Sequence, residues 1–152
     1  MFEKVVIINL KNRVLRLDQT LDECYKIGIT QVIRFEAIPG GESGCAKSHY
    51  EVLKSGAPVL VLEDDVIFAR NAKTIIRRAL KELPNDWDLL YLGANVKEPA
   101  KRYSNTLYRI TGGTHCTHAI YWSEKGAKRM LENWYPGKDD IHQIDHWLYT
   151  IG

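Results

Sequence analysis

The 152-residue chain carries 21 basic and 19 acidic side chains, a formal charge of +2, with 45% hydrophobic and 26% charged residues. That balance argues against a disordered or membrane-embedded chain and offers no basic footprint for nucleic acid, while the length suits one domain with a real core. The three cysteines, Cys24, Cys45 and Cys116, are too few and too irregularly spaced for a disulfide framework or a paired-cysteine zinc site. They read as small apolar residues of a reducing compartment.

Val5 to Leu10 is apolar and β-branched, a first buried strand, and too short for a signal-peptide core or a membrane span. The expectation is therefore a cytoplasmic protein with no span. Val14, Leu17, Leu21, Cys24 and Tyr25 recur at helical spacing, and Gly28 follows as a stop. Gln31 to Ile38 reads as a second strand, broken by Pro39-Gly40-Gly41. Ser43 is placed to cap a helix that carries Cys45, His49, Val52 and Leu53 on one face and ends at Gly56.

Pro58-Val59-Leu60-Val61-Leu62 then runs into Glu63-Asp64-Asp65. A continuous apolar run of this length is a strand buried on both faces, as in the middle of a parallel sheet. Folding does not call for three adjacent acids after it, because they repel one another and are costly to desolvate without a cation or donors. The plain alternative is a solvated turn. Open α/β sheets, however, place ligands at the carboxyl ends of their strands, and oxygen ligands without cysteine favour a hard ion such as Mn²⁺ or Mg²⁺.

Beyond the acids, Asn71 is placed to cap a helix with Ile75, Ile76, Ala79, Leu80 and Leu83 inward. Trp87 to Gly93 reads as a buried strand whose last glycine lets the backbone turn or approach something closely. A polar loop from Asn95 to Asn105 leads to a short extended stretch, Thr106 to Ile110, and Cys116 to Trp122 has the alternation of a strand. Ser123 starts a helix with Ala127, Met130, Leu131 and Trp134 inward, and Ile141 to Tyr149 closes the chain as a short helix with Ile141, Ile144 and Leu148 inward. Strands alternating with helices make this an α/β sandwich, predominantly parallel.

Other candidate chemistry is weaker. Gly40-Gly41-Glu42-Ser43-Gly44 precedes a helix yet lacks the lysine of a P-loop and the spacing of a dinucleotide motif. His142, Asp145 and His146 fall on one helical stripe, either a ligand or base set or simply the polar face of a terminal helix. His49 and His118 read by default as satisfied structural histidines.

Six motif blocks stand along the chain. The pattern I-N-L-x-x-R-x-x-R appears as Ile8-Asn9-Leu10-Lys11-Asn12-Arg13-Val14-Leu15-Arg16, and G-C-x-x-S-H as Gly44-Cys45-Ala46-Lys47-Ser48-His49. The L-E-D-D strand end is Leu62 to Asp65, and D-W-D-L-L-Y-L-G stands intact at Asp86 to Gly93. An aromatic strand before a G-A helix matches Ala119 to Ser123 with Gly126-Ala127, and V-D-x-x-L resembles Ile144 to Leu148. Taken together, the six blocks resemble glycosyltransferase family 25: they stand in that family's order and cover nearly the whole chain.

The resemblance implies a GT-A-type, Rossmann-like αβα sandwich with a mostly parallel central sheet, in one domain over residues 1–152, short at the C-terminus relative to family members. It implies a metal-dependent transfer of a hexose, galactose in its named members, from a UDP-sugar to a glycan or other hydroxyl acceptor, with inversion. Asp65, with Asp64 and Glu63, is the implied holder of Mn²⁺ or Mg²⁺; Asn9, Arg13, Arg16, Ser48, Glu63 and Asp64 are implied on the donor side. Asp145 is the implied general base, and one of the C-terminal histidines or His118 is a candidate to complete the metal shell. Two alternatives stand beside it: an idle nucleotide-sugar-binding domain, and a metal phosphohydrolase using Asp64, Asp65, His142 and His146. Four tryptophans in a short chain also leave room for a homo-oligomeric interface.

Overall fold

The computed structural model describes residues 1–96, 99–110, 114–138, 143–145 and 148. In chain order the elements are β1 (Val5–Asn9), α1 (Val14–Lys26), β2 (Ile33–Glu36), α2 (Gly41–Lys54), β3 (Val59–Glu63), α3 (Ala72–Glu82) and β4 (Leu89–Tyr91). There follow the two-residue strands β5 (Asn95–Val96), β6 (Lys101–Arg102), β7 (Tyr108–Arg109) and β8 (Thr114–His115), then β9 (Ala119–Trp122) and α4 (Glu124–Asn133). No helix among the described residues is long and apolar enough to cross a membrane.

Five strands form the central sheet in the order β2-β1-β3-β9-β4. β1 runs parallel to β2 and β3, whereas β9 is antiparallel to β3 and β4, so four strands share one direction and β9 is reversed between them. Side chains alternate across the pleat, which divides the apolar runs into two cores. Val6, Ile8, Val59, Val61, Ile120 and Trp122 face Val52 and Leu53 of α2 and Met130 of α4. Val5, Ile7, Leu60, Leu62 and Tyr121 face Cys24 of α1 and Ile76 of α3. The result is three layers, helices on both faces of a mostly parallel sheet.

Several expectations shift in detail. The second strand shortens to Ile33–Glu36 and is largely exposed, because β2 lies at the sheet edge and needs only one apolar side. Val14, Leu21 and Tyr25 point outward, Tyr25 at 74% exposure, and Thr20 and Cys24 are the buried positions of α1. In α3, Ile76 is buried and Ile75 is exposed. The second helix begins at Gly41, with Gly40 rather than Ser43 at its cap, because φ values of 130° at Gly40 and 59° at Gly41 turn the chain earlier than a side-chain cap would. Asn71 holds the cap position of α3 without a capping hydrogen bond, whereas Ser123 does cap α4, its hydroxyl accepting from the Gly126 amide at 3.0 Å.

The Trp87–Gly93 strand contracts to a half-buried β4 at the opposite edge, and Cys116 to Trp122 contracts to β9 because Cys116 takes a φ of 128° that no regular strand adopts. Within the expected terminal helix, Ile144 and Leu148 are buried in the α2/α4 core as anticipated; Ile141, His142 and His146 lie outside the described residues.

Gly44 marks where α2 is pressed against the preceding loop: a Cβ there would stand 2.3 Å from the Ile38 carbonyl oxygen and 2.8 Å from the Pro39 carbonyl carbon. Both neighbours are backbone and cannot swing away. Gly44→Ala is therefore expected to destabilise the fold by about 2 kcal/mol or more, read as a lower urea midpoint. An unchanged midpoint would show that the loop and helix can separate freely.

Candidate functional site

The strand order places β1 between β2 and β3, so the chain leaves β1 toward one side and returns on the other. Such a reversal opens a crevice between the carboxyl ends of the two central strands, the usual ligand position in sheets of this kind. The register pairs Ile8 with Glu63, which brings the next residues, Asn9 and Asp64, together across the crevice. Asn9 Nδ2 donates to Asp64 Oδ2 at 2.7 Å and to the Arg13 carbonyl at 3.0 Å. Arg16 and Arg13, at the start of α1, hold guanidinium nitrogens 3.4 and 3.9 Å from Asp64 Oδ1. Asn9 and Asp64 are buried while the arginines stay half exposed, so a buried carboxylate orients two accessible cations. The I-N-L-x-x-R-x-x-R spacing thus has a physical reading: one asparagine fixes both the acid and the turn that carries the arginines.

The acidic triplet does not share one neighbourhood. Alternation along β3 turns Glu63 toward the face of α2, and Asp64 turns to the face of α1. Glu63 Oε1 accepts from the Thr117 hydroxyl at 2.6 Å, lies 3.2 Å from His49 Nε2, and takes a long contact of 3.7 Å from the Cys45 thiol. Burial pushes its carboxyl up, but the hydrogen bonds and the charge of His49, joined by Thr117 and Cys45, outweigh that and bring it down to about 2. Asp65 is exposed at the tip, with no hydrogen bond or ion pair among the described residues. A hard divalent cation fits its oxygen chemistry, and among the described residues Asp65 is the member of the triplet with both oxygens uncommitted.

Cys45, His49 and Glu63 place one ligand atom each within 4.8 Å of one another, a grouping the sequence reading had not assembled. The signal was there in the i, i+4 spacing of Cys45 and His49 on one helix face. Burial, and then the nearby Glu63 charge, pushes the Cys45 thiol up to about 12, so it stands here as a neutral donor to the carboxylate. Ser48 has no exposed surface: its hydroxyl accepts from the Ile38 amide at 2.9 Å and donates to the Gly44 carbonyl at 2.7 Å. It holds the loop before α2 from inside, with its hydroxyl engaged by the Ile38 and Gly44 backbone.

Asp145 sits at the same end of the sheet. Its carboxylate is 3.6 Å from His115 Nδ1, and its charge adds to burial in raising both the Cys45 thiol and the Tyr91 phenol. Cys116, strained at φ 128°, lies between His115, which faces Asp145, and Thr117, which donates to Glu63. Thr117 and His115 carry no sequence signal; the fold brings them in. His118 packs its ring on Gly93, where an added Cβ would meet Nε2 at 2.5 Å, so the close approach anticipated at that glycine is to a histidine. His142 and His146, needed for the phosphohydrolase alternative, lie outside the described residues.

A sequence model of glycosyltransferase family 25, described as LPS biosynthesis proteins, matches residues 36–148. The chain belongs to glycosyltransferase family 25. Human procollagen galactosyltransferase 2 is 29% identical over 86% of this chain and 27% of its own length, and the Mus musculus protein is 28% identical over the same shares. The human inactive glycosyltransferase 25 family member 3 is 42% identical over 59% of this chain and 16% of its own length. The chain therefore spans about a quarter of the procollagen relatives it matches. The family 25 match begins at Glu36, so the Asn9, Arg13 and Arg16 half of the crevice lies before it.

The Glu63 hub predicts a specific pH dependence. Its folded carboxyl titrates below the ordinary 4.5, so it contributes stability above about pH 4.5 that is lost as pH falls toward about 2. Glu63→Gln should be less stable than the parent at neutral pH by up to about 3 kcal/mol, and the gap should close through that window. Urea midpoints across pH measure it, and a gap that stays constant to pH 2 would refute the assignment.

Proposed function

We propose that this family 25 chain binds a UDP-sugar in the crevice between β1 and β3 and transfers its hexose, galactose, to a hydroxyl acceptor with inversion. The observation that carries the reading is the knot of Asn9, Asp64, Arg13 and Arg16 at the reversal point of the sheet, beside exposed Asp65. Two guanidiniums held by one buried carboxylate suit the paired oxygens of a diphosphate. Asp65, with Asp64 beside it, is the group to carry Mn²⁺ or Mg²⁺. A divalent cation there supplies electrostatic stabilisation of the nucleoside diphosphate leaving group.

In the transfer step the acceptor oxygen forms a bond to the anomeric carbon as the bond to the diphosphate oxygen breaks. The electron pair leaves with UDP, and the hydroxyl proton passes to Asp145. His115, 3.6 Å from Asp145, is placed to steady that carboxylate. Arg13 and Arg16 hold the departing phosphates on the opposite side of the sheet end. A second reading, donor binding without turnover, draws on the 42% identity to an inactive human family member.

Calorimetry with UDP and Mn²⁺, followed by assay of UDP release with and without sugar acceptors, decides between them. Asp65→Asn should abolish Mn²⁺-dependent donor binding; if it does not, the cation site is elsewhere. Asp145→Asn should keep donor affinity and lower transfer by about a hundredfold or more. Donor binding by the parent chain with no UDP release under any acceptor would establish the idle reading.

A further inference from the structure

A cavity of about 680 Å³ flanks β4, the edge strand, between that strand, the start of α4 and the segments 94–96 and 100–110. Its size is that of a small-molecule site rather than a packing defect. Trp87, Tyr91, Tyr103 and Tyr108 are among the residues that line it. Tyr103 and Tyr108 are exposed, and Arg109 lies over the Tyr103 ring at 5.7 Å. At the α4 side Asp88 is held by Arg129 at 3.0 Å and Lys125 at 3.1 Å, so polar groups meet the rings at the wall.

The outer wall is built, not slack. Glu82, at the end of α3, accepts from the Ser104 hydroxyl, from the Thr106 amide at 2.9 Å and from the Thr106 hydroxyl at 3.2 Å. The amides of Tyr103 and Ser104 in turn donate to the Leu107 carbonyl at 3.0 and 3.1 Å. Tyr91, Thr114 and Leu148 line the end of the cavity toward the candidate base, and Thr114 adjoins His115, whose Nδ1 is 3.6 Å from the Asp145 carboxylate.

We propose that this cavity is the acceptor subsite and that it takes a saccharide, whose C–H faces lie on Tyr103 and Tyr108 while one hydroxyl reaches Asp145 past Tyr91. Sugars combine apolar ring faces with a rim of hydroxyls, the complement of tyrosine rings set among carboxylate and guanidinium groups. The proposal rests on the transfer reading above for the role of Asp145, but not for the binding itself.

The test is an NMR titration of the full chain with methyl β-galactoside, N-acetylglucosamine and lactose, and separately with an extended serine-containing peptide. UDP with Mn²⁺ is titrated into the same samples. Binding of at least one sugar that shifts the amides of Tyr91, Leu107 and Tyr108, and that weakens about five- to tenfold in Tyr108→Ala and in Tyr103→Ala with unchanged urea midpoints, supports the subsite. No shift with any sugar, shifts elsewhere, equal affinity in both variants, or shifts at the cavity with the peptide alone each overturn it. Sugar binding without UDP binding would remove the donor reading and leave the subsite standing; UDP binding without sugar binding would do the reverse.

Discussion

The parallel register of β1 against β3, with Ile8 beside Glu63, governs where each acid of the triplet goes and what can gather around it. Strand alternation then sends Glu63 and Asp64 to opposite layers, so two adjacent carboxylates acquire unrelated partners. Asp64 is answered from α1, through Asn9 and the two arginines; Glu63 is answered from α2 and the segment before β9. Had the register slipped by one residue, both sets of partners would face the wrong acid.

Desolvated carboxylates are tolerable only when donors replace lost water, and the two sites solve that differently. Around Glu63 the partners are a hydroxyl, an imidazole and a thiol drawn inward, so the group ties α2, β3 and the Thr117 segment into one unit. Around Asp64 the donors include two half-exposed guanidiniums, whose remaining N–H groups are open to an anion. One acid is a structural clamp and its neighbour an orienting group for cations. The exposed Asp65 completes a surface of mixed sign at the sheet reversal, suited to a ligand that is itself an anion paired with a cation.

Reversal of β9 carries the second half of the site. Because β9 enters antiparallel between β3 and β4, the segment leading into it runs across the carboxyl ends of both strands. That places Thr117 on Glu63, His118 on Gly93 and His115 opposite Asp145, with Cys116 in a strained conformation between them. The same insertion leaves β4 at the sheet edge, beside the segment that Glu82 fastens, where the cavity lined by Tyr91, Tyr103 and Tyr108 opens.

Much of this was legible in the chain itself. The apolar runs of β1 and β3, the stops at Gly28 and Gly56, the cap at Ser123 and the six family blocks are local patterns, and local patterns survive without knowledge of neighbours. Which face of α1 would be buried was only partly legible: Cys24 turns inward as its spacing predicts, but the exposed Leu21 and Tyr25 are more apolar than the buried Thr20, and only contact with the sheet chooses between them. The same holds at the site. The sequence by itself determined that acids follow a central strand and that arginines follow β1, because chain order and periodicity encode both. Only the tertiary structure decided that Glu63 is clamped, that Asp64 orients the arginines and that Asp65 has no partner among the described residues, because those outcomes depend on strand register and on the direction of β9, neither of which any local stretch contains.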